Sequence, residues 1–174
     1  MPFFKGLEAE DPQVEQARQM LLNWDFVLNK DSIEAGIYVA FERQLLDNIE
    51  ALKVPEIAQS YLSVGMKTTI DMLLAPDGDF GVDPIQGRDE FLIHTLSQGI
   101  ATLREKLGPN IENWVYGQED YKHALIRHPL SPALNDELQQ RLNVGPLPRG
   151  GNGFTLGNTG SGDNQTSGCL LYTS

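Results

Sequence analysis

From Val14 to Leu107 the apolar residues of this chain recur at steps of three and four, and a proline or glycine breaks each series. That spacing gives a helix one apolar face and does not fit the two-residue alternation of a half-buried strand. A helix with a single apolar stripe does not stand alone in water. It must pack on its neighbours or on another part of a protein.

The first series predicts a helix over 11–30. Asp11 is a good N-cap and Pro12 fits the first helical position, where a missing N–H costs nothing. Val14, Ala17, Leu21, Trp24 and Leu28 then fall on one face. A second helix starts at Ser32, with Asp31 or Ser32 as its cap. It carries Ile33, Ile37, Tyr38, Phe41, Leu45 and Ile49, and Pro55 ends it. Met66 to Leu74 forms a shorter helix closed by Pro76, and "PDGDFGVDP" (76–84) reads as a loop of turn residues. The clearest helix runs from Asp89 to Leu107, with Leu92, Leu96, Ile100, Leu103 and Leu107 in line and Gly108-Pro109 as its stop. Trp114 to Ile126 mixes turns and extended pieces around Gly117, and Pro132 to Leu142 is a short helix.

After Gly145 the composition changes. Residues 145–168 are dense in glycine and poor in large apolar groups, so they cannot build a core of their own. The chain thus divides into a helical subregion (1–144) and a Gly-rich segment (145–168). With 174 residues, 40% of them hydrophobic, there is material for one real core.

The net charge of −11 argues against nucleic acid as a partner, since phosphate neutralisation needs Lys/Arg clusters. The densest basic group is only Lys122, His123, Arg127 and His128. No apolar run approaches the ~20 residues that span a bilayer, so no membrane partner is expected either. The N-terminus lacks the basic-then-apolar pattern of a signal peptide. Cys169 is the only cysteine, so neither an intrachain disulfide nor a cysteine-based zinc site can form, and the compartment stays open.

Three constellations invite a chemical reading, and each falls short. Asp77, Asp79 and Asp83 lie close together, but a calcium loop starting at Asp77 meets Gly81, Val82 and Arg88 where it needs a ligand, a glycine and a glutamate. An acidic, solvated turn is the plainer reading. Asp120, His123, His128 and Ser131 contain the members of a Ser-His-Asp device, without the strained Gly-x-Ser-x-Gly setting that exposes a nucleophile. His94 sits in the long helix, off its apolar stripe, with no partner pattern. The run "RGGNGFTLGNTGSG" has no lysine after it for a P-loop, and its Gly151-x-Gly153 series ends on Leu156. Glycine there suits close approach of the backbone to a ligand or another strand.

Three segments in order carry a family resemblance. They are "GRDEFLIHTLSQGIATLREKLGPNIENWVYG", then "YKHALIRHPLSPALN", then "NVGPLPRGGNGFTLGNTGSGDNQTSG". Residues from about 85 to 168 so read resemble the penicillin acylase (penicillin amidase) family, and residues 1–84 resemble the helical region that precedes them, less distinctively. The resemblance implies an N-terminal nucleophile hydrolase. The fold class is then a mainly α-helical fragment of an α+β protein, an αββα sandwich when intact, ending in a Gly-rich turn and strand segment. In such enzymes self-cleavage frees an N-terminal serine that attacks an amide carbonyl with its own α-amine as base.

By the same resemblance, the catalytic serine, the oxyanion asparagine and its arginine neighbour belong upstream, and no residue here matches their positions. Met1 is no candidate, because a thioether has no ionisable proton. No catalytic, cofactor-binding or metal-ligating residue is therefore assigned, and no cofactor is expected. The expected partners are the remainder of the same precursor and a small-molecule acyl amide: a β-lactam side chain, an acyl-homoserine lactone or an acyl peptide. The location implied is periplasmic or secreted. The closing "CLLYTS" (169–174) departs from the family and reads as a foreign tail. Thr155 and Asn158 are the most informative polar positions of the Gly-rich segment, with no role assigned. A non-catalytic helical binding or scaffold module is the alternative.

Overall fold

A computed structural model describes residues 2–155 and, as backbone, 164–167. Asn158 and residues 169–174 lie outside the described residues. The chain is mainly helical, with five α-helices and a small sheet among the described residues. It forms two compact units, Met1–Asp25 with Ile37–Glu105, and Phe26–Gly36 with Lys106–Ser174. The composition change at Gly145 falls inside the second unit.

The first unit is a packed set of helices. Helix α1 (Pro12–Asn23) starts as its sequence predicts: Asp11 accepts hydrogen bonds from the Gln13 and Val14 amides, and Pro12 follows. It ends earlier than the periodicity suggests. Trp24 is already extended, and Phe26 has a φ of 63°. Val14, Ala17, Leu21 and Trp24 are buried as expected, whereas Leu28 belongs to the second unit. Helix α2 (Ile33–Lys53) is capped by Ser32, whose Oγ accepts the Ala35 amide at 3.0 Å. Helix α3 (Met66–Leu74) has the predicted bounds.

Helix α4 (Pro84–Leu107) begins five residues before Asp89, the expected start. Asp83 caps it through the Gln86 amide, and Pro84 supplies the first position. The turn before it is acidic, and each carboxylate there is engaged. Asp77 accepts the Asp79 amide, and Asp79 pairs with Lys53.

Burial in this unit joins distant stretches of sequence. Phe4 meets the edge of Phe41 with centroids 5.1 Å apart, and Trp24 lies against Tyr38. Leu92, Leu96, Ile100 and Leu103 are all 1% exposed or less. Fully burying a side chain of this size contributes roughly 1.5–3 kcal/mol. At Gly99 the backbone of Ala40 and Phe41 comes so close that a Cβ would sit 3.1–3.3 Å from it. Asn48 ties the two helices by donating to Thr95 Oγ1 and Gln98 Oε1. No helix among the described residues is long and apolar enough to cross a membrane.

The second unit holds the sheet, with strands in the order β2-β1-β3. Strand β1 (His123–Ile126) pairs antiparallel with β2 (Val144–Pro148) and parallel with β3 (Asn164–Ser167). The register places His123 opposite Pro148 and Ala124 opposite Leu147, then shifts so that Ile126 faces Val144. This puts an extra residue in β2, a bulge. Gly145 sits at the shift with φ 118°, and a Cβ there would be 2.5 Å from the Ala124 carbonyl. Between β1 and β2 the single helix expected over 132–142 is split. A short 3-10 turn (Ser131–Ala133) precedes helix α5 (Asp136–Leu142), because Asn135 caps the latter through the Leu138 amide.

Candidate functional site

The Gly-rich segment is seated on a stretch that the helical periodicity had assigned to the end of the first helix and the start of the second. The carbonyls of Leu28, Lys30 and Ser32 accept the amides of Gly151 (2.9 Å), Gly117 (2.6 Å) and Tyr116 (3.1 Å). Helix α1 has already ended at Asn23, with Trp24 extended and Phe26 at φ 63°, and the non-helical stretch beyond it offers these carbonyls. Glycine is required at the contact. A Cβ on Gly117 would lie 2.4 Å from Lys30 Cβ, and one on Gly150 2.4 Å from the Leu28 carbonyl. Close approach of backbone to backbone is thus what the glycines serve here.

A buried aromatic group holds the seat from below. Trp114, Tyr116 and Tyr121 are 2% exposed or less. The Tyr116 hydroxyl donates to the Gly151 carbonyl at 2.7 Å, and the Tyr121 hydroxyl to the Gly36 carbonyl at 2.7 Å. Trp114 Nε1 donates to the Gly108 carbonyl, so the helix stop at Gly108 is fixed by the aromatic group as well as by its φ of 87°. Lys122 is fully buried. The basic group read from Lys122, His123, Arg127 and His128 therefore presents no four-cation patch to solvent.

Beyond Gly151 the chain makes a tight turn. Asn152 Oδ1 accepts the Phe154 amide at 3.0 Å and the Thr155 hydroxyl at 3.2 Å. The Asn152 amide donates to Thr155 Oγ1, and the Thr155 amide donates to the Asn152 carbonyl. Thr155, singled out in the sequence without a role, is the residue that closes this turn.

The Ser-His-Asp constellation is not assembled. Ser131 is 2% exposed, and its hydroxyl donates to Asn143 Oδ1. His128 accepts the Leu130 amide through Nδ1, and its own amide donates to the same Asn143 oxygen. Asp120 is exposed. A hydroxyl donated to an amide oxygen has no base to take its proton. Nearby, Leu125, Arg127, Asp136, Gln139, Gln140 and Asn143 line a polar cleft of about 410 Å³.

His94 opens onto a larger cleft in the first unit, of about 660 Å³. Its wall is acidic, with Glu8, Glu10, Asp11, Asp89 and Glu90 around it. Asp11 is spoken for: hydrogen bonds from the Arg104 guanidinium hold its carboxyl below the usual range, against a smaller opposing effect of burial. Among the described residues no group of His, Cys, Asp and Glu has the arrangement of a metal centre.

What the described residues define is a helical body with a small mixed sheet, in which the conspicuous polar groups position backbone and none is set up as a nucleophile. Residues 1–172 match the penicillin amidase family, and the chain belongs to it. Membership implies a hydrolase acting on amide bonds. No curated protein matches the chain. The sequence had pointed to this family but missed the burial of Lys122 and the seat at Leu28–Ser32. Only the glycines at 117, 150 and 151 carried a signal for that seat.

Proposed function

We propose that this chain is the helical part of a penicillin-acylase-type amidohydrolase, and that the nucleophile is an N-terminal serine formed elsewhere in the same precursor. The observation that carries the reading is the family match over residues 1–172. The Ser131 hydroxyl, committed to Asn143, supports it by removing the one serine that neighbouring histidines could have activated. Large apolar side chains left at the surface are consistent with it too. Ile57 is 88% exposed, Tyr61 87% and Leu74 66%, which suits a body that docks on further protein.

In the intact enzyme the serine attacks the amide carbonyl, and its own α-amine takes the proton. An α-amine with a pKa of ~7.7–8 is a fitting base near neutral pH. An asparagine side chain and backbone N–H groups hold the oxyanion. The amine leaves, and water releases the acid from the acyl-enzyme. The chain's own part is to pack the Gly-rich segment toward the central sheet of an αββα sandwich. The substrate is a small acyl amide, no cofactor takes part, and the setting is periplasmic or secreted.

The test is hydrolysis of phenylacetyl and fatty-acyl anilides. The 174-residue chain is expected to give no turnover, and the chain expressed within its extended upstream reading frame is expected to give it. Turnover by the isolated chain, abolished in Ser131→Ala, would overturn the placement of the nucleophile. An extended frame that processes and still lacks amidase activity would favour a non-catalytic scaffold.

A further inference from the structure

The turn at 152–155 contains an Asn-Gly pair, Asn152-Gly153. In such a pair the glycine nitrogen can attack the asparagine side-chain amide with least hindrance, since glycine has no Cβ. A bond forms from Gly153 N to Asn152 Cγ, and the Cγ–Nδ2 bond breaks. Ammonia leaves carrying the proton lost from Gly153 N, and a five-membered succinimide remains. Water then opens the ring at either carbonyl, giving aspartate or isoaspartate. No electrons are gained or lost, and water is the one co-reactant.

Ring closure needs rotation about the Asn152 side chain and about the backbone between residues 152 and 153. The folded turn opposes both. Asn152 is 7% exposed. Its Oδ1 is held by the Phe154 amide and the Thr155 hydroxyl. Its backbone is closed by the Thr155 amide onto the Asn152 carbonyl and by the Asn152 amide onto Thr155 Oγ1. Thr155 takes part in three of these four bonds. Immediately upstream, Gly151 is anchored on both sides, through its amide to Leu28 and through its carbonyl to the Tyr116 hydroxyl.

We propose that Asn152-Gly153 is a latent self-modification site for which Thr155 is the latch. While the turn is closed the asparagine persists. When the turn opens, the pair cyclises and hydrolyses. The isoaspartyl product carries an extra backbone methylene and a carboxylate, neither of which fits the buried seat. The modification is therefore a lasting chemical mark of opening of the Gly-rich segment. It stands independently of the amidase reading, because it uses no substrate.

The test follows the mass gain of about one dalton and the isoaspartate content of the 152–155 peptide over time, in mildly alkaline buffer, for the full chain folded and unfolded in urea. Folded wild type is expected to react at least about tenfold more slowly than unfolded. Thr155→Val, folded by circular dichroism, is expected to react at least about fivefold faster than wild type, since it loses both hydrogen bonds of the hydroxyl and the net loss of even one gives about that factor. Thr155→Ser keeps the hydroxyl and is expected to match wild type, and Gly153→Ala is expected to be slow folded or unfolded. Equal rates for folded and unfolded wild type overturn the proposal, as does a folded Thr155→Val with the wild-type rate. If Thr155→Val does not fold, the wild-type comparison and Thr155→Ser decide: a Thr155→Ser chain reacting at the unfolded rate while folded also overturns it.

Discussion

Replacing Tyr116 with phenylalanine isolates one hydrogen bond on which the seat of the Gly-rich segment depends. The ring stays, and with it the edge-to-face contact with Tyr121 at 5.2 Å between centroids. Apolar burial and packing therefore cancel between the two proteins. What goes is the hydroxyl that donates to the Gly151 carbonyl at 2.7 Å. Tyr116 is 0% exposed, so water cannot take the hydroxyl's place at the ring. A buried acceptor left without its donor costs about 1–3 kcal/mol. With a urea slope of about 1–3 kcal/mol per molar, the midpoint falls by roughly 1 M. The measurement is urea unfolding of the full chain at neutral pH. Tyr121→Phe is the comparison: it removes a donor from the Gly36 carbonyl, which lies in helix α2 and keeps its helical hydrogen bond, so a smaller loss is expected. The two rings touch, so the double variant is expected to depart from the sum by about 0.5 kcal/mol or more. A Tyr116→Phe midpoint indistinguishable from wild type, at unchanged slope, would refute the claim that this hydroxyl anchors the segment.

Two further outcomes test the same physical picture elsewhere. Glu15 is held at a pKa of about 2, below its ordinary 4.5, chiefly by hydrogen bonds from Arg18 and then Gln19; its stabilisation is thus complete above pH 4.5 and lost as pH falls toward 2. Acid titration of Glu15→Gln, followed by circular dichroism, is expected to show a shallower loss of stability across that window than wild type. Gly117→Ala forces a Cβ to within 2.4 Å of Lys30 Cβ and 2.7 Å of the Lys30 carbonyl. About 1–3 kcal/mol of overpacking plus about 1 kcal/mol for the Gly117–Lys30 hydrogen bond predicts a loss of about 2–4 kcal/mol in thermal or chemical unfolding.

The helices were legible where a local signal fixes them. Asp11-Pro12 and Ser32 mark the starts of α1 and α2 because a cap acts within four residues of itself. Asp83-Pro84 is a start signal of the same kind for α4, hidden by the aspartates and glycines of the turn before it. The overrun of α1 has another cause. Trp24 and Leu28 stand at proper helical steps, yet the chain is extended from Trp24 and turns at Phe26 with φ 63°, and the stretch beyond is held through the Leu28 carbonyl by Gly151, more than a hundred residues away in sequence. Competition of that range leaves no trace in local periodicity. Lys122 misled for a related reason. A lysine reads as exposed charge until its surroundings are known, and this one is fully buried, its amide donating to the Tyr116 carbonyl. For Ser131 and the histidines, nearness in sequence suggested a relay that Asn143 intercepts.

The prolines of β2 set a direction for anything that joins this sheet. Arg149 donates its amide to the Lys122 carbonyl, so position 149 faces β1 and Pro148 faces away from it. Pro146 stands at the bulge two residues earlier in the same strand. Neither has an N–H to offer a newcomer, and strands seldom extend past such positions. The flank is in effect a selvedge, finished so that no further thread can be woven on at those positions. Among the described residues the opposite edge of the sheet is β3, which runs parallel to β1.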